Sequence, residues 1–204
     1  MNNFDSVAGF YDRLSKLIFG RTMVEAQTVY LGHILPGARV LILGGGTGWL
    51  LSELLTQHPT CGVWYIEASE KMLALSKRRF KNRPSEITFI HGTEDAIPRD
   101  IKFDAVITHF YLDLFPQDSC SKVIQRIHSV MHGRSLWLIS DFVNTTWWHG
   151  ALLRVMYSFF QIMSGIEARR LPAWRKLMVE NGLKESKSQK FYGGFIRGAI
   201  FRLN

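Results

Sequence analysis

Three glycines, Gly44, Gly46 and Gly48, stand in the stretch LILGGGTGWL between an apolar, β-branched run and a helix-like segment. Glycines in that place allow a tight turn and let the backbone approach a ligand with no Cβ in the way. The free N–H groups at the start of the next helix favour an anionic group. The dinucleotide fingerprint G-x-G-x-x-G is not met, because its sixth position is Trp49 counted from Gly44 and Leu51 counted from Gly46. The spacing is G-x-G-x-G. Glu67 follows 19 residues after Gly48, at the end of a second apolar run. A carboxylate there can accept hydrogen bonds from both hydroxyls of a ribose. The plainer alternative is a strand-end glutamate at the solvent edge.

The elements that must position these groups alternate strand and helix. Arg39–Leu43 (RVLIL) predicts the first strand and Trp49–Gln57 the helix after the glycines. Residues 62–66 (GVWYI) predict the second strand, and Ser69 can cap a helix over 70–80. Ile87–His91 and residues 103–108 predict the third and fourth strands. A helix over 119–131 and a fifth strand over 134–142 follow. Such βαβ spacing implies a parallel sheet with right-handed crossovers. The rhythm then changes. Residues 172–181 predict a helix, and 184–192 and 195–203 predict two strands joined by Gly193-Gly194, a hairpin signal. The expected fold is therefore α/β and Rossmann-like: a doubly wound, mostly parallel sheet closed by a C-terminal antiparallel hairpin.

Length and composition agree with one domain over 1–204: apolar residues make up 47% and charged residues 21%. The start, MNNFDSVAGFYD, lacks a basic region followed by an apolar stretch, so no secretory leader is expected. No run approaches the roughly 18 apolar residues of a spanning helix. Cys61 and Cys120 are far apart and fit buried free thiols in a reducing cytoplasm, so a cytoplasmic protein without a metal site is expected. The net charge of +8 comes from scattered basic residues without aromatic interleaving. No nucleic-acid partner is expected. A solvated basic surface, or peripheral contact with an acidic membrane, both fit.

In order, VLILGGGTGWLL, VWYIEASEKML, ITFIHGTEDAIP and FDAVITHFYLDLFP resemble the successive motifs of class I S-adenosylmethionine-dependent methyltransferases. The opening FDSVAGFYDRLSKLIFG is similar to the leader of the ubiquinone/menaquinone C-methyltransferase type. The resemblance implies S-adenosylmethionine as cofactor. It implies Gly44, Gly45, Gly46 and Gly48 against the methionine and ribose portions, Glu67 on the ribose diol, and Ala68 and Met72 in the adenine pocket. Thr93 and Glu94 would meet the adenine edge, the backbone of His109 the methionine ammonium, and Tyr11 would come from an N-terminal helical lid over 1–35. Two positions depart from the family pattern. The acidic residue usual two positions before the first glycine is Ile42 here, and the third motif reads Gly92-Thr93-Glu94 in place of Gly-Asp-Ala.

Methyl transfer is an in-line displacement in which positive charge on sulfur disappears, so the protein mainly aligns the acceptor and excludes water. Where the acceptor must lose a proton, a base at the fourth strand end is the natural candidate. His109 is best placed, followed by Tyr111 and Asp113. The alternatives are a structural His109 that touches cofactor through its backbone alone, and an Asp113 that orients the following loop. The insertion over 144–171 is the expected substrate cap. Leu152, Val155, Met156, Phe159, Phe160 and Met163 follow helical spacing and suit a small apolar or aromatic acceptor. A helix packed on the domain core is the alternative for that segment. The non-catalytic alternative for the whole chain is a degenerate methyltransferase fold serving as a binding module, motivated by Ile42.

Overall fold

The computed structural model describes residues 19–82, 86–164 and 170–204, with side chains of 159–164 outside that description. Seven strands form one sheet in the order β3-β2-β1-β4-β5-β7-β6. They are β1 (Arg39–Leu43), β2 (Gly62–Glu67), β3 (Ile87–His91), β4 (Phe103–His109), β5 (Met131–Phe142), β6 (Leu183–Phe191) and β7 (Ile196–Leu203). The first five run parallel, and β7 is antiparallel to both β5 and β6. The six described α-helices are α1 (Arg21–Thr28), α2 (Trp49–Gln57), α3 (Glu70–Arg79), α4 (Gln117–His128), α5 (Trp147–Ser164) and α6 (Trp174–Glu180).

Strand alternation divides the core. Leu41 and Leu43 of β1 face one layer, with Val123, Ile124 and Ile127 of α4 and Trp174 of α6. Val40 and Ile42 face the other, with Leu50 and Leu54 of α2 and Leu73 of α3. Residues 123, 124 and 127 share one side of α4, the stripe a helix buries against a sheet. Ser69 caps α3 by accepting from Met72 N–H at 3.2 Å, with Glu70 in its first turn and Lys77, Arg78 and Arg79 in its last. These charges complement the helix dipole.

The order reverses between β1 and β4. β1 leads to β2 on one side, and β4 lies on the other. The loops after β1 and β4 therefore open on the same crevice, where a doubly wound sheet binds ligands.

Several boundaries differ from the sequence expectation. β5 begins at Met131 because His132–Ser135 forms a bulge: Met131 pairs with Phe103, Leu136 with Ala105, and His132 N–H donates to Ser135 Oγ at 2.7 Å. The hairpin turn spans Tyr192 to Phe195, not two glycines alone, with Tyr192, Gly193 and Gly194 all at positive φ. Helix α6 starts after Pro172 and Ala173, at Trp174. Val155 points to solvent at 68% exposure, whereas His149, Leu153 and Tyr157 are the buried positions among the described side chains of α5. The side chains of Phe159, Phe160 and Met163 lie outside the described residues.

Candidate cofactor and acceptor site

The glycine loop is built around a buried tyrosine. Tyr65 of β2 pairs with Ile42 and projects under the loop. Its hydroxyl donates to the Gly46 carbonyl at 2.8 Å and lies 3.0 Å from Ser76 Oγ, which itself donates to that carbonyl at 3.0 Å. Burial raises the tyrosine's pKa, so it stays a neutral donor. Gly45 meets the ring so closely that a Cβ would lie 2.1 Å from Tyr65 Cζ. Gly46, at φ +65, would meet nothing within 4 Å, which leaves its outer face open to a ligand.

Glu67 closes the loop from the other side. Its Oε2 accepts from Gly46 N–H at 2.8 Å and its Oε1 from Ser69 N–H at 2.7 Å. One carboxylate thus joins the glycine loop to the cap of α3. The side chain is 7% exposed, and burial raises its pKa against the opposing pull of these amides. A carboxylate offers about four lone-pair directions, so two amides leave acceptor capacity for a diol. Ala68 and Met72 follow directly, and the His91 ring lies 2.9 Å from the Ala68 carbonyl. That contact ties the third motif to the end of β2.

Across the crevice, Tyr111 packs against Gly44, where a Cβ would lie 2.7 Å from its Cδ2. Its hydroxyl donates to Glu94 Oε2 at 2.8 Å. Sequence reasoning placed Tyr111 and Glu94 in separate motifs; the fold joins them, beside Thr93. His109 is half-buried, and both ring nitrogens are buried, with only the Gln27 backbone within reach of the ring. Burial pushes its pKa down to about 3, so the imidazole is neutral. Asp113 is buried in the short 3-10 turn that follows. Tyr11 lies outside the described residues.

Ile42, at the position of the missing acidic residue, is 1% exposed in the core shared by Tyr65 and Leu50. An ionised group would be desolvated there without a partner. Tyr65, Ser76 and Asp141 were not read from the sequence as site residues. The alternation of GVWYIE places Tyr65 on the α2 and α3 side, the one signal available for it. Among the described residues no group of three or more metal-binding side chains occurs, and no helix is long and apolar enough to cross a membrane.

Removing the Tyr65 hydroxyl should cost about 0.5–1.5 kcal/mol of stability, the net worth of one neutral hydrogen bond, because Ser76 still donates to Gly46. Denaturant unfolding of Tyr65→Phe checks this. A midpoint equal to that of the unmodified chain would mean the hydroxyl does not support the loop.

Residues 40–133 match the family model described as a methyltransferase domain. The chain is 34% identical over 113 residues to a ubiquinone/menaquinone biosynthesis C-methyltransferase UbiE of Cupriavidus metallidurans, which covers 53% of this chain and 46% of that protein. A protein of the same name from Ectopseudomonas mendocina is 30% identical over 115 residues, covering 53% and 45%. The chain thus spans less than half the length of these relatives. Among solved structures, a putative methyltransferase bound to the Trm112 methyltransferase activator of Haloferax volcanii superposes with TM-score 0.75 at 15% identity, covering 100% of this chain and 98% of that one. The cyclopropane synthase MmaA2 of Mycobacterium tuberculosis gives TM-score 0.73 at 12% identity, covering 88% and 83%.

Proposed function

From a chain that carries a methyltransferase domain in the class I fold, we propose an enzyme that transfers the methyl group of S-adenosylmethionine to a small apolar or aromatic acceptor in the cytoplasm. The observation that carries this reading is Glu67. It is buried beside an open glycine loop, holds that loop by the Gly46 amide, and keeps acceptor capacity toward the crevice. Bound there, S-adenosylmethionine supplies an electrophilic methyl carbon on a sulfonium.

The residues of the chain bind and orient. Glu67 takes the ribose hydroxyls, the Gly44–Gly48 backbone lies along the ribose and methionine portions, and Ala68, Met72, Thr93 and Glu94 line the adenine side. Tyr111 fixes Glu94 and forms a wall over Gly44. His109 stays neutral and offers its backbone to the methionine end. Tyr111 and Asp113 complete the acceptor side. Helix α5 caps it, held by the Tyr157 hydroxyl, which donates to the Asp113 carbonyl at 3.0 Å. Proximity and exclusion of water supply most of the acceleration of a displacement of this kind.

The test is transfer of labelled methyl from S-adenosylmethionine to a panel of phenols, quinones and apolar aromatics. Label in a small-molecule product supports the reading. Cofactor binding with no transfer to any acceptor class would favour a binding module built on the same fold.

A further inference from the structure

Two carboxyl groups lie buried at the loop after β4, one in the loop and one beneath it, apart from Glu67 and the glycines. Asp141, at the end of β5, is fully buried. Its Oδ2 accepts from the N–H groups of Leu112 and Asp113, both at 3.2 Å, and its Oδ1 accepts from Phe142 N–H at 2.7 Å. Asp113 rides on the loop itself at 9% exposure, with its Oδ1 buried and without a hydrogen-bond partner. The ion pairs among the described residues include neither group. Among the described residues, the other titratable side chains acting on the pair are Cys120 from α4 and Tyr157 from α5, neither of them a cation.

This asymmetry decides where the charge resides. Hydrogen bonds from amides favour an ionised carboxylate, and Asp141 receives three. A buried carboxyl with an unpartnered oxygen is favoured neutral. We propose that Asp141 and Asp113 share a single proton at neutral pH, Asp141 serving as the ionised anchor that positions the loop over 110–114 and Asp113 as its protonated partner. The anchored loop carries Tyr111, whose ring packs on Gly44 and whose hydroxyl holds Glu94, so the pair reaches the crevice through one residue. That last link rests on the proposed cofactor reading; the shared proton does not.

Burial raises the pKa of both groups, that of Asp113 up to about 7, and because each carboxylate opposes ionisation of the other the pair keeps one proton that two isolated carboxylates would release. An unfolded aspartate titrates near about 3.9. The folded chain therefore holds a proton that the unfolded chain has released. The resulting stability is fully present below about pH 4, is lost as pH rises through about 7, and changes no further above that.

The experiment is denaturant unfolding of the full chain without ligand at pH 5 and pH 8, for the unmodified protein and for Asp113→Asn, whose amide copies the neutral carboxyl. Relative to the variant, the unmodified chain should become easier to unfold by about a hundredfold in the equilibrium constant over that interval. Parallel pH dependences would overturn the shared proton. Should Asp113→Asn fail to fold, infrared spectra of the unmodified protein decide: a protonated-carboxyl band present at pH 6 and lost by pH 8 supports the pair, and its absence at pH 6 overturns it. The positioning role is read from S-adenosylhomocysteine affinity against pH. It should weaken between pH 6 and 8 in the unmodified chain and stay level in Asp113→Asn. Level affinity in both overturns the link through Tyr111. No binding at any pH, with the unfolding difference intact, overturns the cofactor reading and leaves the shared proton standing.

Discussion

Replacing Glu67 with alanine should weaken S-adenosylmethionine binding by about 1.5–3 kcal/mol, the range for hydrogen bonds to a charged group and roughly ten- to hundredfold in affinity. Two losses act together. The variant removes the acceptor proposed for the ribose hydroxyls, and it leaves Gly46 N–H and Ser69 N–H without the carboxylate that now joins them. Glu67→Gln separates these effects. One amide oxygen can still serve one N–H, while the NH2 group opposes the other donor, so Gln should fold better than Ala and still bind weakly. Calorimetry on variants with unchanged circular dichroism is the measurement. Unchanged affinity in a folded Glu67→Ala would remove the carboxylate from the site.

Gly45→Ala should be more damaging than an ordinary loop substitution. The added Cβ would stand 2.1 Å from Tyr65 Cζ, 2.2 Å from Cε2 and 2.6 Å from the hydroxyl oxygen. That ring is fully buried and held by Gly46 and Ser76, so it cannot simply swing aside. Either the ring or the loop must move. Overpacking of this kind typically costs about 1–3 kcal/mol, and displacement of the loop should also lower S-adenosylmethionine affinity. A double-variant cycle with Tyr65→Leu tests the cause. Removing the ring should recover part of the loss, because residues in contact are not additive. Full additivity would show that the clash is not the reason.

What could be read from the sequence was what recurs locally. The strand-turn-helix with Gly44, Gly46 and Gly48, the Ser69 cap and Glu67 are all fixed by near neighbours, and the structure places them together. The β-α alternation likewise fixed the doubly wound sheet and its terminal hairpin. What escaped depends on pairings between distant elements. Tyr111 and Glu94 meet only because β4 lies next to β1. Asp141 shows its role only when β5 pairs with β4, which sets it beneath the Leu112 and Asp113 amides. An aspartate closing the apolar run SLWLISDF is a polar residue where burial is expected, and that was the signal on offer. Val155 failed for a simpler reason. Helical spacing defined a broad apolar stripe, and packing on Phe142 and Phe195 chose Leu153 and Tyr157 within α5 instead.

Ile42 sharpens the central question, since an aliphatic residue packed in the core holds the place of the acidic residue usual in the family pattern. In the proposed reading, Glu67, the open face of Gly46 and the Tyr111–Glu94 pair hold the cofactor without it. Calorimetric titration of the purified chain with S-adenosylmethionine, S-adenosylhomocysteine and NAD in one buffer addresses this directly. Micromolar binding of both adenosyl compounds with none of NAD is the expected result. Absence of binding by either adenosyl compound, or binding of NAD in their place, would contradict it.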